Sequence, residues 1–368
     1  MIIGIDGNEA NVEKKVGVSV YTFELLKHFR KAASRDLRFI IFLRHKPRYD
    51  LPQQNQYFTY QVVKGPFLWR NLFLPLALKK RKKIDVFFSP AHYTPRYSKI
   101  PIVVTIHDLA YVRYPEEFLK QDLYKLSHWT KHALGQSEKI IAVSQSTKND
   151  LIYYYGINKN KVKVVYNGFS SKEEQSKDKP TILEEYNLKP GKYILFAGTI
   201  QPRKNIQTLL HAFRLILESK PDMKLILVGK KGWLYDKIFK ISRELELNEH
   251  AIFTDYISNA DMATLYNNAS VFVLPSLYEG FGLPILEAMS HNCPVIASER
   301  SSLPEVCDDA CLFFSPHNAV QLKDEILKVL NSKTLREKLI TKGQIRVKNF
   351  SWAKCAHETL NVLKSGAD

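Results

Sequence analysis

The sequence predicts an α/β protein made of two doubly wound domains, each a parallel sheet covered by helices. Short β-branched runs alternate with longer helical patterns, as in IIGID at 2–6 followed by SVYTFELLKHFRKAA at 19–33. This alternation is typical of strand–helix–strand units, which form parallel sheets. It stops once, in the polar segment SSKEEQSKDKP at 170–180, and then resumes. The length of 368 residues suits two domains that each bury a core.

The elements follow in chain order. In the first half we predict strands at 39–43, 85–89, 102–106, 139–143 and 161–168, and a helix at 143–155 capped by Ser144 or Ser146. In the second half we predict strands at 193–198, 224–229, 251–255, 270–275, 294–298 and 311–314, and a helix at 205–219. Residues 1–170 are assigned to the first domain, 171–190 to a linker and 191–350 to the second domain. Ligands of such sheets bind beyond the carboxyl ends of the strands.

Composition excludes several protein classes. The chain is 45% hydrophobic and 25% charged, which indicates a globular protein. No apolar run reaches the roughly 18 residues that span a bilayer, and the start MIIGIDGNEA lacks the regions of a signal peptide. The four cysteines have no metal-site spacing, so we predict reduced thiols, no metal and a cytoplasmic location.

The net charge of +17 is concentrated in the first half, where residues 1–180 hold 31 Lys and Arg against 16 Asp and Glu. A basic surface suits nucleic acid, anionic lipid or a phosphorylated substrate. The segment GPFLWRNLFLPLALKKRKKIDV at 65–86 places apolar side chains next to a run of cations. We interpret it either as a membrane-surface helix or as a core helix with a solvated basic end. The membrane or acceptor surface would comprise Trp69, Lys79, Lys80, Arg81, Lys82 and Lys83.

The stretch SLYEGFGLPILEAM at 276–289 carries the clearest chemical signal. It follows an apolar strand, and Pro284 suits the first position of a helix. The backbone from Gly280 through Phe281 and Gly282 to Leu283 then lies at a helix N-terminus, which attracts an anion such as a pyrophosphate. Glu279 and Glu287 flank this position and suit sugar hydroxyls. The pattern therefore predicts a ligand that combines sugar and phosphate.

Three further loops agree with this prediction. Arg203 and Lys204, in TIQPRKN after the strand at 193–198, supply charge that neutralises a departing diphosphate. His107 follows the strand at 102–106, where we favour contact with a reactive sugar or an acceptor over a structural role. Gly17 lies at the tip of a loop that brings backbone near the diphosphate. No GxGxxG follows the first strand, which argues against a dinucleotide site.

These residues resemble the family 4 (group 1) retaining glycosyltransferases of the GT-B fold, closest to the mannosyltransferase-B-like branch. EGFGLPILE matches the two-glutamate signature of that family, and the segments GTIQPRKN, LVGKKGW, YNNASVFVLPS, PVIASERSSLPEV, HDLAYVRYPEEF and FSW match further. The resemblance implies two Rossmann-like domains that face a central cleft, with a final helix near 351–368 returning to the first domain. The glycine-rich loop of the family differs here, because residues 17–21 lack its second glycine and its arginine. The resemblance is therefore weaker on the acceptor side than on the donor side.

The resemblance also implies roles for individual residues. Glu279 contacts the donor sugar, Glu287 holds the nucleotide ribose, and Arg203 and Lys204 bind the diphosphate. Thr199 and the backbone of Gly280 to Leu283 belong to the same donor site, Tyr256 marks the segment that receives the base, and His107 lies near the anomeric carbon. No metal and no protein base are implied.

The function expected on this basis is metal-independent, retaining transfer of a hexose, with mannose from GDP-mannose favoured, to a glycan or lipid-linked acceptor. We also expect a peripheral contact of the protein with the inner face of the plasma membrane. One alternative is a UDP-sugar donor. Another class of alternative is a basic nucleic-acid-binding protein or a membrane-surface scaffold without catalysis, although no base-reading module appears.

Overall fold

The computed structural model describes residues 1–65, 68–80, 83–96, 98–170 and 181–367. It divides the chain into two units. The first comprises residues 1–115, 120–168 and 350–368, and the second comprises residues 116–119 and 169–349. Of the predicted linker at 171–190, residues 171–180 lie outside the described residues. Residues 182–188 pack into the second unit, where Ile182 and Leu188 are buried.

The first unit contains a seven-stranded parallel sheet with the order β3-β2-β1-β4-β5-β6-β7. Its strands are β1 (Ile2–Asp6), β2 (Arg38–Leu43), β3 (Phe58–Val62), β4 (Val86–Ser89), β5 (Ile102–Ile106), β6 (Lys139–Ala142) and β7 (Val162–Val164). Its first helices are α1 (Val18–Ala32), α2 (Leu74–Lys80), α3 (Ala110–Arg113), α4 (Lys120–Gln136) and α5 (Gln145–Tyr155). Ser144 caps α5 by accepting from the Thr147 amide, as one of the two predicted caps.

The second unit contains a six-stranded parallel sheet with the order β10-β9-β8-β11-β12-β13. Its strands are β8 (Tyr193–Ala197), β9 (Lys224–Val228), β10 (Ala251–Thr254), β11 (Val271–Leu274), β12 (Val295–Ser298) and β13 (Cys311–Phe314). Its helices are α6 (Ile182–Glu185), α7 (Ile206–Leu217), α8 (Asp236–Glu244), α9 (Asn259–Asn268), α10 (Leu283–Ser290), α11 (Leu303–Cys307), α12 (Ala319–Asn331) and α13 (Lys333–Val347). The predicted doubly wound α/β class is confirmed in both units.

The sheet of the first unit is apolar on both faces because its strands are nearly continuous apolar runs. Along β2, Phe39 and Ile41 belong to the core on one face, and Ile40 and Phe42 belong to the core on the other. The edge strand β3 was not predicted. Its sequence FTYQV mixes polar and apolar residues, because a strand at the edge is only partly covered.

The last helix, α14 (Trp352–Ser365), packs on the first unit although it follows the whole second unit in the chain. Trp352, Leu360 and Leu363 lie in one core with Tyr21 and Leu25 of α1. The close approach needs a glycine at position 168, because a Cβ there would lie 2.4 Å from backbone atoms of Trp352. The predicted helix near 351–368 therefore forms and completes the first core.

We expect Trp352→Ala to destabilise the first unit by about 3–5 kcal/mol, because it leaves a cavity in that core. Urea unfolding measures the loss, and amide hydrogen exchange locates it in β1 and α1. The matched control is Lys354→Ala, an exposed position on the same helix. Equal loss of protection in β8 would contradict the assignment of α14 to the first core.

Candidate functional site

The candidate site lies at the point where the strand order of the second sheet reverses. β8 and β11 are neighbours in this sheet, although β9 and β10 lie between them in the chain. The loops that leave their carboxyl ends therefore run out side by side, at the kind of position where open α/β sheets bind ligands. The loop after β8 carries Arg203 and Lys204, and the loop after β11 carries Glu279.

A buried ion pair joins the two loops. Lys204 Nζ lies 2.5 Å from Glu279 Oε1, and the two residues are only 7% and 8% exposed. Ser276 donates to the same oxygen at 2.6 Å. Arg203 Nη1 lies 3.7 Å from Glu279 Oε2 and donates to the Tyr278 carbonyl at 3.1 Å. The structure thus brings together three of the predicted catalytic residues.

Electrostatics keep the Glu279 carboxylate charged. Burial by itself raises the pKa of Glu279, but the charges of Lys204 and Arg203, with hydrogen bonds from Lys204 and Ser276, outweigh it and lower the pKa. A buried charge is tolerated only with such partners. The cluster combines two cations with one carboxylate, and so retains positive charge for an anionic ligand.

The helix N-terminus predicted beside this cluster is present. Helix α10 begins at Leu283, with Gly282 as its N-cap at φ 108°, a conformation that favours glycine. Pro284 occupies the second helical position, not the predicted first one, because Gly282 rather than Leu283 turns the chain into the helix. The amides of Gly280 to Leu283 precede and begin the helix, where its dipole favours an anion.

Side chains that the sequence analysis left without a role fix the two loops. The Asn205 amide donates to the carbonyls of Pro275 at 3.0 Å and Pro316 at 2.6 Å. Ser301 and Ser302 donate to the Glu279 carbonyl at 2.5 and 2.9 Å. Asn205 lies inside the segment GTIQPRKN, and both serines lie inside PVIASERSSLPEV. Their position in these family-matching segments was the one sequence signal that could have pointed to them. They position the site through the backbone.

Three other predicted donor-site residues belong to the same unit. Glu287 lies on α10, where the buried Tyr266 hydroxyl donates to its Oε2 at 3.1 Å. Burial and the nearby Glu287 charge raise the pKa of Tyr266, which keeps the phenol a donor. Thr199 is exposed in the loop after β8. Tyr256 is 52% exposed just after β10, and the Lys230 ammonium lies 5.8 Å from its ring centre.

The remaining two predicted residues, Gly17 and His107, belong to the first unit. Gly17 is the N-cap of α1 with φ 52°, and a Cβ there would meet no atom within 4 Å. His107 Nε2 donates to the Pro90 carbonyl at 2.7 Å, and Tyr21 packs edge-on against the ring at 4.8 Å. Burial lowers the pKa of His107, so the ring is neutral with Nδ1 as its acceptor.

The predicted membrane or acceptor surface needs correction at Trp69. This side chain is 5% exposed, lies in a core with Leu74 and Leu78, and donates to the Val63 carbonyl at 2.6 Å. Trp69 begins a π-helical turn, Trp69–Phe73, that directly precedes α2. Lys79, Lys80 and Lys83 are exposed. Arg81 and Lys82 lie outside the described residues.

Comparison with known families gives two matches that together span most of the chain. The family described as "Glycosyl transferases group 1" matches residues 178–346, and the family described as "Glycosyltransferase Family 4" matches residues 16–173. The chain is 32% identical over 282 residues to the "O-antigen chain mannosyltransferase B" of Escherichia coli. This similarity covers 76% of the chain and 74% of that relative.

Solved structures show the same fold at low sequence identity. The structure titled "Sucrose-phosphate synthase (tll1590) from Thermosynechococcus elongatus" matches with a TM-score of 0.76 at 20% identity, over 99% of this chain and 98% of that one. Anabaena Alr3699/HepE "in complex with UDP and glucose" matches with a TM-score of 0.74 at 17% identity, over 99% of both chains. The predicted GT-B fold is thereby confirmed.

The buried ion pair generates a double-mutant prediction. Glu279→Gln leaves Lys204 without its counter-charge and should cost about 3–5 kcal/mol in urea unfolding. Lys204→Met added to it removes both charges, so we expect the double variant to lose less than the sum of the single losses by about 1–3 kcal/mol. The exposed pair Lys333 and Glu337, at 3.8 Å, is the control and should show no measurable coupling. Additive losses at Glu279 and Lys204 would rule out the coupling.

Proposed function

The chain belongs to the group 1 glycosyl transferases, and from that membership we propose that it transfers mannose from GDP-mannose to a glycan or lipid-linked acceptor. Transfer in the synthesis of a cell-surface polysaccharide or glycolipid fits the name of the E. coli relative, a mannosyltransferase of an O-antigen chain. The structural observation that carries the proposal is the buried cluster of Arg203, Lys204 and Glu279 beside the N-terminus of α10.

In this proposal, the cluster binds the diphosphate that leaves the sugar. Arg203 and Lys204 neutralise its developing charge, and the first amides of α10 donate to its oxygens. Both cations are already held by Glu279, so little reorganisation accompanies the reaction. Because this charge comes from side chains and a helix terminus, we propose that no metal is needed.

The same carboxylate offers hydroxyl groups of the donor sugar an acceptor. Glu279 is charged and is held by Ser276 and Lys204, so its orientation is fixed before the sugar binds. Glu287, oriented by Tyr266, holds the nucleotide ribose, and the backbone around Tyr256 receives the base. We propose transfer with retention of configuration, in which the leaving phosphate accepts the acceptor proton and no side chain acts as general base.

A second candidate is a UDP-sugar donor of the same site. It is supported by the solved structures of HepE in complex with UDP and glucose, with UDP, and with UDP-glucose. A diphosphate is common to both donors, so the Arg203 and Lys204 cluster fits either one. The two candidates differ at the base, near Tyr256.

We also propose a peripheral contact between the first unit and the inner face of an anionic membrane. Leu68, Leu72 and Leu76 recur at intervals of four residues and are 62%, 48% and 49% exposed. Leu76 lies on α2, which the exposed Lys79 and Lys80 end, whereas Leu72 lies in the preceding π-helical turn and Leu68 caps that turn. Exposed leucines beside lysines suit the boundary between acyl chains and anionic headgroups. Among the described residues, every helix is too short or too polar to span a bilayer.

The donor proposal is tested by thermal shift with GDP, UDP and ADP, followed by mass spectrometry of products from the matching sugar nucleotides. With all three nucleotides at one concentration, we expect GDP to stabilise the protein most. The stabilisation is about 2.7 kcal/mol when that concentration is one hundred times the Kd of GDP. Arg203→Ala should reduce this shift and lower kcat/KM about a hundredfold or more. Arg214→Ala, a half-exposed arginine on α7, is the control. Stabilisation by UDP alone favours the second candidate, and stabilisation by no nucleotide contradicts both.

The membrane proposal is tested by co-sedimentation with vesicles of phosphatidylglycerol or of phosphatidylcholine. Replacing Lys79 and Lys80 with glutamine should weaken binding to the anionic vesicles about thirtyfold, at about 1 kcal/mol per lysine. Leu72→Ser with Leu76→Ser should weaken it further. The same charge change at the exposed Lys333 and Lys338 is the control. Binding that these replacements leave unchanged would remove the contact.

A further inference from the structure

Gln201 lies two residues before Arg203 in the loop after β8. It is only 2% exposed and is the N-cap of the short 3₁₀ helix Pro202–Lys204. Its backbone carbonyl accepts from the Lys204 amide at 3.0 Å, which closes this turn of the chain. Buried side-chain amides are normally hydrogen-bonded, so the side chain of Gln201 needs a partner of its own.

That partner is the guanidinium of Arg203. With its amide oxygen turned toward this group, Gln201 accepts from Arg203 Nε at 2.8 Å and from Nη2 at 3.2 Å. The opposite orientation would set the NH₂ group of Gln201 against the same two donors, so hydrogen bonding selects the oxygen. One neutral acceptor therefore holds one edge of the guanidinium.

The third nitrogen of Arg203 is held from the loop after β11. Nη1 donates to the Tyr278 carbonyl at 3.1 Å and lies 3.7 Å from Glu279 Oε2. All three guanidinium nitrogens are thus engaged, and the plane of the group is fixed between two loops. The Arg203 side chain is still 17% exposed, so part of it remains open to a ligand.

The backbone that carries Gln201 is itself braced. Ile200 forms a parallel bridge with Lys231, and the Gly232 amide donates to the Ile200 carbonyl at 2.9 Å. A Cβ at position 232 would lie 3.1 Å from Gln201 Cβ and 2.8 Å from Thr199 Cγ2, so the two loops approach as closely as a glycine allows. The amide of Gln201 therefore stands on a fixed support.

We propose that Gln201 is a positioning residue for the diphosphate, which acts by holding the Arg203 guanidinium in the orientation that binds the anion. An arginine side chain has many rotamers, and holding one of them before the ligand arrives lowers the entropic cost of binding. Because glutamine is neutral, it orients Arg203 without cancelling its charge. The inference rests on the proposed function and deepens it, because it names the residue that sets the geometry of Arg203.

The test is a double-mutant cycle in the full chain, read by calorimetric titration with inorganic pyrophosphate and with GDP. Gln201→Met removes the acceptor at similar volume and should weaken binding of both ligands about tenfold, as expected for a hydrogen bond to a charged group. Since Gln201 acts through Arg203, the same change made in Arg203→Ala should add less than about twofold. Gln207→Met, at a half-buried glutamine on α7, is the control and should bind as the unaltered protein does.

The orientation of Arg203 is also measured without a ligand, from the Nε–H signal of its side chain in NMR spectra, identified by its loss in Arg203→Lys. A hydrogen-bonded Nε–H exchanges slowly with water. We therefore expect a protected signal in the unaltered protein and in Gln201→Glu, which keeps the acceptor, and rapid exchange in Gln201→Met.

The outcomes separate this inference from the proposed function. Ligand binding that depends on Gln201 through Arg203 supports the inference even when no sugar is transferred. Binding that Arg203→Ala weakens and Gln201→Met leaves unchanged overturns the inference and leaves the transferase. An equal loss from Gln201→Met in both backgrounds, or an Nε–H signal that stays protected in Gln201→Met, overturns it as well. Binding of neither ligand by the unaltered protein overturns both.

Discussion

Lys204 and Glu279 are buried against each other at the junction of two loops, and the site of the second unit depends on that contact. Neither charge would be tolerated there alone, because a buried charge requires a partner. The pair therefore fixes the loop after β8 to the loop after β11. Since these strands are distant in the chain but adjacent in the sheet, the contact forms only when the strand order is correct. The same carboxylate also pairs with Arg203, whose Nη1 lies 3.7 Å from Glu279 Oε2.

Both units contain a cluster of charged side chains on the loops of a parallel sheet, but the two clusters differ in charge. Each parallel sheet brings loops from distant parts of the chain together where the strand order reverses. In the second unit the cluster carries two cations and one carboxylate, which suits a diphosphate. In the first unit Arg70 is matched by Asp6 and Glu9, so these three residues together carry negative charge.

The apolar strands and the loops at their carboxyl ends could be predicted from sequence, because short β-branched runs such as IVVTI between longer helical patterns are typical of buried strands. The edge strand β3 could not, because its partly exposed residues lack that signal. Trp69 was misplaced because a run of apolar residues beside lysines does not show which side chains face the core, and the structure buries Trp69 with Leu74 and Leu78. The residue types of the cluster of Arg203, Lys204 and Glu279 were predictable, but the pairing of Lys204 with Glu279 and the support from Asn205 and Ser302 arise from tertiary packing.

Helix α14 has a consequence for biosynthesis. Its residues complete the core beneath α1, yet they leave the ribosome only after all of the second unit. Part of the apolar surface of the first unit therefore stays uncovered while the second unit is still being translated. The half that is synthesised first can therefore complete its core only after the last helix has been synthesised. A stalled ribosome would release a chain whose earlier half is the vulnerable one, open to chaperones and proteases.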